Sequence, residues 1–163
     1  MRFVLDEMLG RSSRWLRILG YEVKYLKSSD DDLLEVAKRE NRILLTRDLE
    51  LFRRAKTQGL EVFFVEGKDE AEKLANVSKR FNIKLEINMA TSHCPTCGSL
   101  IKRIEKSEVL NKIPKETLKH YDKFWMCTSC GKVYWQGGHW KKINETLSRA
   151  KKLKNNARDE TII

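Results

Sequence analysis

The stretch "RFVLDEMLGRSSRWLRILGYEVKYL", residues 2–26, sets an apolar run, two adjacent acids, an arginine-studded helical pattern and a second apolar run end to end. The two runs, "RFVLD" (2–6) and "EVKYL" (22–26), have the length and the Val, Leu, Phe and Tyr content of buried parallel strands. Between them Leu9, Trp15, Leu16 and Leu19 recur at helical spacing, and Gly20 stands where that helix should stop. A strand, a helix and a second strand in so short a span read as a right-handed βαβ unit.

The same rhythm continues for about 88 residues. "RILLT" (42–46) and "EVFFV" (61–65) are two further strands. Leu33, Leu34, Val36 and Ala37 mark a second helix that Asp30 can open as N-cap, and Leu49, Phe52 and Ala55 mark a third that ends near Gly59. A fourth helical pattern runs from about Asp69 to Phe81, ahead of a candidate fifth strand at "IKLEI" (83–87). The expectation is an α/β domain with an open, mostly parallel sheet over residues 1–90. The pattern breaks at "NMATSH" (88–93), and a small cysteine module follows at 91–143. Residues 144–163 form a basic C-terminal helix or tail; Ile143, Leu147, Ala150 and Leu153 can dock on the body, and the end "RDETII" is expected to be disordered.

Composition narrows the function classes. No apolar run approaches the ~20 residues that span a bilayer, so no membrane partner is expected. Arg2, Asp6 and Glu7 interrupt what a secretory signal would keep apolar, so a reducing cytoplasm is the expected location. Of the net charge of +10, residues 1–93 carry 18 Lys+Arg against 16 Asp+Glu, and residues 94–163 carry 15 against 7. A surplus concentrated in one part favours a polyanion such as nucleic acid; the plainer reading is a soluble basic surface.

Three carboxylates arrive at the same end of the expected sheet. Asp6 closes the first strand, Asp30 opens the helix after the second, and Asp48 follows the third in "LLTRD". Ligands of open parallel sheets bind beyond those carboxyl ends. Carboxylates so gathered repel one another and suit Mg²⁺ or Mn²⁺, whose chemistry serves phosphodiester hydrolysis. Asp30 and Asp48 also read as ordinary helix caps, whereas Asp6 has no evident capping role. Glu7, Asp31, Glu66 and Asp69 are additional candidate acids. Arg11, Arg14 and Arg17 lie three apart on one broad helical face, and with Arg47 they are either phosphate contacts or a solvated face.

The four cysteines form two pairs, "CPTCG" (Cys94, Cys97) and "CTSCG" (Cys127, Cys130). CxxC followed by glycine is a metal-binding knuckle, and two of them make a tetrahedral, closed, structural Zn²⁺ site. A disulfide framework is the alternative, disfavoured in a chain without export features. The spacer from Gly98 to Met126 exceeds the ~15–20 residues usual between knuckles. Around the second knuckle, "KFWMCTSCGKVYWQGGHW" interleaves aromatics and lysines. Some of those rings must pack beside the metal; others, with Trp135 and Trp140 as candidates, can stack on RNA bases.

Together "FVLDEMLGRSSRWLRILGYEV", "DDDLLEVAKRENRILLTRD" and "HCPTCG…FWMCTSCGKVYWQGGHW" resemble the Mut-seven-C RNase family across about residues 2–143. The resemblance implies a PIN-like three-layer domain followed by a small Cys₄ zinc ribbon. It also implies metal-dependent RNA cleavage, with Asp6, Asp30 and Asp48 at the family's acidic positions and no clean match to a fourth acid. A non-catalytic RNA-binding or ribosome-associated adaptor with a vestigial acidic site is the competing reading. A phosphotransfer receiver ranks below both, because "FFVEG" offers no lysine where that chemistry needs one.

Overall fold

A computed structural model describes residues 1–160, with side chains as far as Asn156. Four parallel strands, β1 (Arg2–Leu5), β2 (Glu22–Tyr25), β3 (Ile43–Thr46) and β4 (Val62–Phe64), form one sheet in the order β2-β1-β3-β4. A single 3₁₀ turn (Glu7–Leu9) leads into α1 (Gly10–Ile18); α2 (Asp30–Arg39), α3 (Leu49–Thr57) and α4 (Glu70–Phe81) follow the later strands. Helix α1 stops at Gly20, whose φ of +99° lets the Tyr21 amide reach the Leu16 carbonyl at 3.0 Å.

The pleat divides the apolar residues between two layers. Phe3, Leu5, Ile43 and Leu45 face α1 and α4, packing on Leu16, Leu19, Leu74 and Val77. Val4, Leu44 and Val62 face the other way, onto Leu33, Leu34 and Ala37 of α2 and Leu51 and Ala55 of α3. Burial on both faces is why β1 and β3 read as unbroken apolar runs rather than alternating ones. Each such side chain contributes about 1.5–3 kcal/mol on leaving water.

The expected strand at 83–87 does not form. Those residues pair with no other strand; Ile83 and Leu85 are buried instead against the helical layer that includes Leu147 and Ala150. The Ser78 hydroxyl takes the Ile83 carbonyl at 2.6 Å, so helix packing absorbs both the apolar side chains and a backbone acceptor that a sheet edge would have used. The C-terminal helix α6 (Trp140–Glu160) docks on α4 with Leu147 and Ala150 buried and Ile143 and Leu153 packed beside them. Of the end expected to be disordered, 158–160 continue this helix and 161–163 lie outside the described residues. Among the described residues no helix is long and apolar enough to cross a membrane.

A second sheet, antiparallel and in the order β5-β6-β7, comprises β5 (Ile101–Ile104), β6 (Phe124–Cys127) and β7 (Val133–Tyr134). Its arrangement around the four cysteines is that of a zinc ribbon. The long spacer builds a second small core of Ile104, Val109, Ile113 and Phe124, with Leu118 of α5 (Lys115–His120) packed against it. That added core accounts for the length beyond a minimal ribbon.

At the amino ends of the strands the buried Arg42 donates to the Phe3 carbonyl (3.2 Å), to Glu22 (2.9 Å) and to Glu40 (2.5 Å). Lys24 also donates to Glu40, and the two cations hold that carboxyl down at about 2. A depressed folded-state value means stability that is present above the ordinary 4.5 and is lost as pH falls from there toward about 2. Glu40→Gln is therefore expected to lower stability by about 1–2 kcal/mol at neutral pH and to flatten the acid limb in that window. Urea unfolding at stepped pH tests it, and an unaltered acid limb in the variant would rule the network out as its source.

Candidate active site and metal centre

Strand β1 pairs with β2 on one side and β3 on the other, so the chain leaves its carboxyl end at the point where crossover connections diverge. Asp6 sits there, only 5% exposed. Contrary to the sequence expectation it does cap: it is the N-cap of the 3₁₀ turn and accepts from the Met8 amide at 3.0 Å. Its other oxygen accepts from the Thr46 hydroxyl at the end of β3. Thr46 is itself fully buried, and its hydroxyl oxygen in turn accepts the Asp48 amide at 2.9 Å. One hydroxyl thus fixes both acids across neighbouring strands. Asp48 uses its Oδ1 to accept from Leu51 at 3.1 Å as N-cap of α3.

Asp30 is not the N-cap of α2. Ser29 takes that position, bonding the Asp32 amide at 3.2 Å, and Asp30 is the first helical residue. Its carboxylate stands 3.8 Å from Arg54, which also pairs with the exposed Asp31. Burial pushes the Asp6 carboxyl above its ordinary value, and the Asp48 and Asp30 carboxylates add to the rise, against the pull of Thr46 and Met8. Among the described residues the oxygens of the three acids do not close into a cage around one point, as the cysteine sulfurs do. A hard divalent cation needs no such cage, since it takes one or two carboxylates directly and reaches others through retained water.

The additional acids separate. Glu7 is exposed and engaged only through its carbonyl, which accepts from Tyr25 at 2.9 Å. Glu66 is exposed, and Asp69 caps α4 and pairs with Arg149. The half-buried Glu70, next in the chain, is the acid that turns toward α1, accepting from Ser12 at 2.8 Å and from Lys73 at 3.2 Å. Neither Thr46 nor Glu70 stands out in the sequence; the one available signal for Thr46 is a hydroxyl at the end of a fully apolar strand.

The four sulfurs all lie within 4.8 Å of one another, and none is in a disulfide. Cys97 is 3.3 Å from Cys127 and Cys94 is 3.8 Å from Cys130, near the ~3.8 Å that Zn–S bonds of ~2.3 Å impose on a tetrahedron. Gly98 and Gly131 have φ of +83° and +75° and turn the chain behind each pair. The amides of Ser129 and Cys130 then point at the Cys127 sulfur, each at 3.4 Å. Amides near Ser99 draw the Cys97 thiol down to about 6. A site of four convergent, ionisable thiols can hold a metal such as zinc.

A family model described as the Mut7-C RNAse domain matches residues 1–147. The chain belongs to the Mut7-C RNAse family. No curated protein and no solved structure matches it.

In this Mut7-C chain the arginines of α1 do not share one exposed face. Arg11 and Arg14 are exposed, but Arg17 is 7% exposed and turned inward. Its guanidinium donates to the Val23 carbonyl of β2 (3.0 and 3.2 Å) and to the carbonyls of Pro95 (3.2 Å) and Thr96 (3.4 Å) inside the first knuckle. Burial lowers its pKa, and the Cys97 and Cys94 sulfurs, as thiolates, offset part of that cost. Arg17 is thus placed inward rather than on a solvated face, with its donors spent bracing the sheet against the ribbon. Arg47 is half-buried and spans the Val65 and Gly67 carbonyls at 3.0 and 3.1 Å. Trp135 packs edge-on to Phe124, and Trp140 opens α6.

Removing the Arg17 guanidinium strands carbonyls on both sides of the junction. Arg17→Met is expected to cost on the order of 3 kcal/mol, and Arg17→Lys nearly as much, because one ammonium cannot span the fork. Denaturant unfolding reads this directly; a loss below ~1 kcal/mol for both would show that the brace carries little. At Asp6 the opposite sign is expected. Asp6→Asn keeps only one of the two acceptor oxygens that Met8 and Thr46 use but removes the desolvation and repulsion of a buried carboxylate, so without added Mg²⁺ or Mn²⁺ it should melt higher, by roughly 2–4 °C per net kcal/mol relieved. Added Mn²⁺ should then raise the melting temperature of wild type but not of the variant.

Proposed function

We propose that the chain hydrolyses RNA phosphodiester bonds in a Mg²⁺- or Mn²⁺-dependent reaction at Asp6, Asp30 and Asp48, with Zn²⁺ held by Cys94, Cys97, Cys127 and Cys130 as a structural ion. The observation that carries this reading is Asp6: an acid kept buried at the sheet's carboxyl end although desolvation and the Asp48 and Asp30 carboxylates raise the cost of its charge, where a neutral residue would cap the turn at lower cost. Membership of a ribonuclease family supplies the substrate class. A divalent cation at these acids would offset charge on the scissile phosphate and lower the pKa of an attacking water.

The residues of the chain have distinct parts in this reading. Asp6 and Asp48 supply the central ligands, oriented by Thr46 and by the amides of Met8 and Leu51. Asp30 extends the acidic site toward solvent, with Arg54 to limit its charge. Glu70 is the better candidate for a fourth acid than Glu66 or Asp69, because Ser12 holds it toward α1. Exposed Arg11 and Arg14 on α1, and Arg47 beside Asp48, provide positive charge for the backbone on either side of the cut. Residues 1–90 form the nuclease unit and 91–143 the ribbon, which braces that unit and contributes to RNA binding.

Cleavage of a labelled RNA with Mn²⁺ or Mg²⁺ is the direct test. Wild type is expected to cut, while Asp6→Asn and Asp48→Asn lose at least 100-fold. Thr46→Val is expected to lose about 10–100-fold with Thr46→Ser retaining most activity, as befits a residue that orients ligands without touching substrate. Equal cutting by Asp6→Asn would sink the proposal. Metal-independent RNA binding without turnover would favour the adaptor reading instead.

A further inference from the structure

Where the ribbon meets α6, a cleft of about 510 Å³ opens between β7 and the first turn of the helix. Its walls are Tyr134, Trp135 and Trp140, its rim carries Lys132, and Gly137 and Gly138 form part of its lining. The volume lies within the ~300–1,000 Å³ of ordinary small-molecule sites. No carboxylate lines it.

We propose that this cleft is a subsite for one unpaired nucleobase of a single-stranded RNA, held between the indoles of Trp135 and Trp140. The proposal rests on the reading of RNA as substrate and adds where a strand is gripped away from the acids.

Three observations bring the cleft to that ligand. The first is what the rings are free to do. Trp135 is anchored edge-on against Phe124, with ring centroids 6.4 Å apart, yet it also lines the cleft. Trp140 is half-buried and belongs to none of the buried apolar clusters of the described residues, so core packing does not account for it. Two indoles in the lining of one cleft, one of them anchored, suit a flat aromatic ligand, and base stacking requires no sequence.

The second is the pair of glycines in "QGGHW". Neither has positive φ, so backbone conformation does not demand them. At Gly137 a Cβ would lie 2.7 Å from the Trp135 indole nitrogen, so glycine is what allows that ring to lie down over the turn. At Gly138 a Cβ would meet nothing, leaving the mouth open. The third is charge. Lys132 in the lining, which also donates to Thr96 at 3.4 Å, and the exposed Lys141 that follows Trp140 suit a phosphate backbone passing the opening. A basic peptide or a cationic partner would be repelled by the same residues.

Ile143 of α6 lines the cleft, whereas the preceding Lys142 lines a separate groove with Arg11 and Arg149 and with Asp69, Glu70 and Glu145. Arg11 follows Asp6 through α1, and Glu70 is held by Ser12. The first turn of α6 thus separates a base-sized cleft from a mixed-charge groove beside the start of α1 and α4.

The test uses the full zinc-loaded chain and a fluorescein-labelled single-stranded oligoribonucleotide, read by anisotropy and by tryptophan quenching without added Mg²⁺ or Mn²⁺. Trp140→Ala is expected to weaken binding about tenfold and remove most of the quenching, with Trp140→Tyr retaining most of both. On wild type, an oligonucleotide of the same length with abasic positions is expected to bind as weakly as intact RNA binds the alanine variant. That comparison holds whether or not the variant folds. Equal affinity for intact and abasic strands, or full binding by a folded Trp140→Ala, overturns the subsite, as does wild type that cuts RNA yet shows no base-dependent binding. Base-dependent binding by wild type that cuts nothing would support the subsite while removing the hydrolase reading.

Discussion

A strand paired on both edges and covered on both faces has no room for charge, and β1 meets that limit at its last turn. Phe3, Val4 and Leu5 are completely buried, and the next residue is an acid with little more access to water. Asp6 can remain there because the neighbouring strand ends in a hydroxyl rather than a fourth apolar side chain. Parallel strands compel the rest. Each return to the same end of the sheet requires a helix, so the residues that follow β2 and β3 reach the same rim as those that follow β1. The acidic site is in that sense a product of topology before it is a product of chemistry.

A second buried charge determines how the two sheets sit together. Arg17 lies inside the protein with its donors divided between a strand of the parallel sheet and two carbonyls of the first cysteine knuckle. Gly98 permits the approach, since a Cβ there would lie 3.0 Å from the Arg17 side chain. The His93 amide reinforces the contact by donating to the Arg17 carbonyl at 2.8 Å, and Ser92 donates to Ile18 at 2.6 Å. The knuckle is therefore a partner of α1, and order in the cysteine site reaches the helix that begins just after Asp6. A metal held by the four thiols would contribute to the position of that helix.

Much of this was legible from residue order alone, and the failures have a common cause. Strands β1 to β4 announced themselves because burial on two faces leaves only apolar residues, and the cysteines because ligand spacing is local. The stretch 83–87 misled because alternation records which side chains are buried, not whether the burying surface is a sheet edge or a pair of helices. Arg17 misled for a related reason. Three-residue spacing places it near Arg11 and Arg14, but its acceptors in the knuckle lie 78 and 79 positions along the chain. Ser29 displaced Asp30 as a cap by one residue, a shift that local propensity cannot resolve when serine and three aspartates compete for the same turn.

The cap and the ligand are not rival assignments for these acids. A carboxylate offers about four lone-pair sites, and the bonds made here leave several open. Asp48 gives one oxygen to the Leu51 amide; Asp6 divides its two between Met8 and Thr46. Each such bond removes rotational freedom from the side chain and aims its remaining lone pairs. A cap at the start of a helix therefore does for a metal ligand what a carboxylate does for a metal-bound imidazole: it selects one orientation in advance. An acid that caps is better prepared to bind a cation than one that is free, which is why the ordinary structural roles of Asp6 and Asp48 strengthen the catalytic reading.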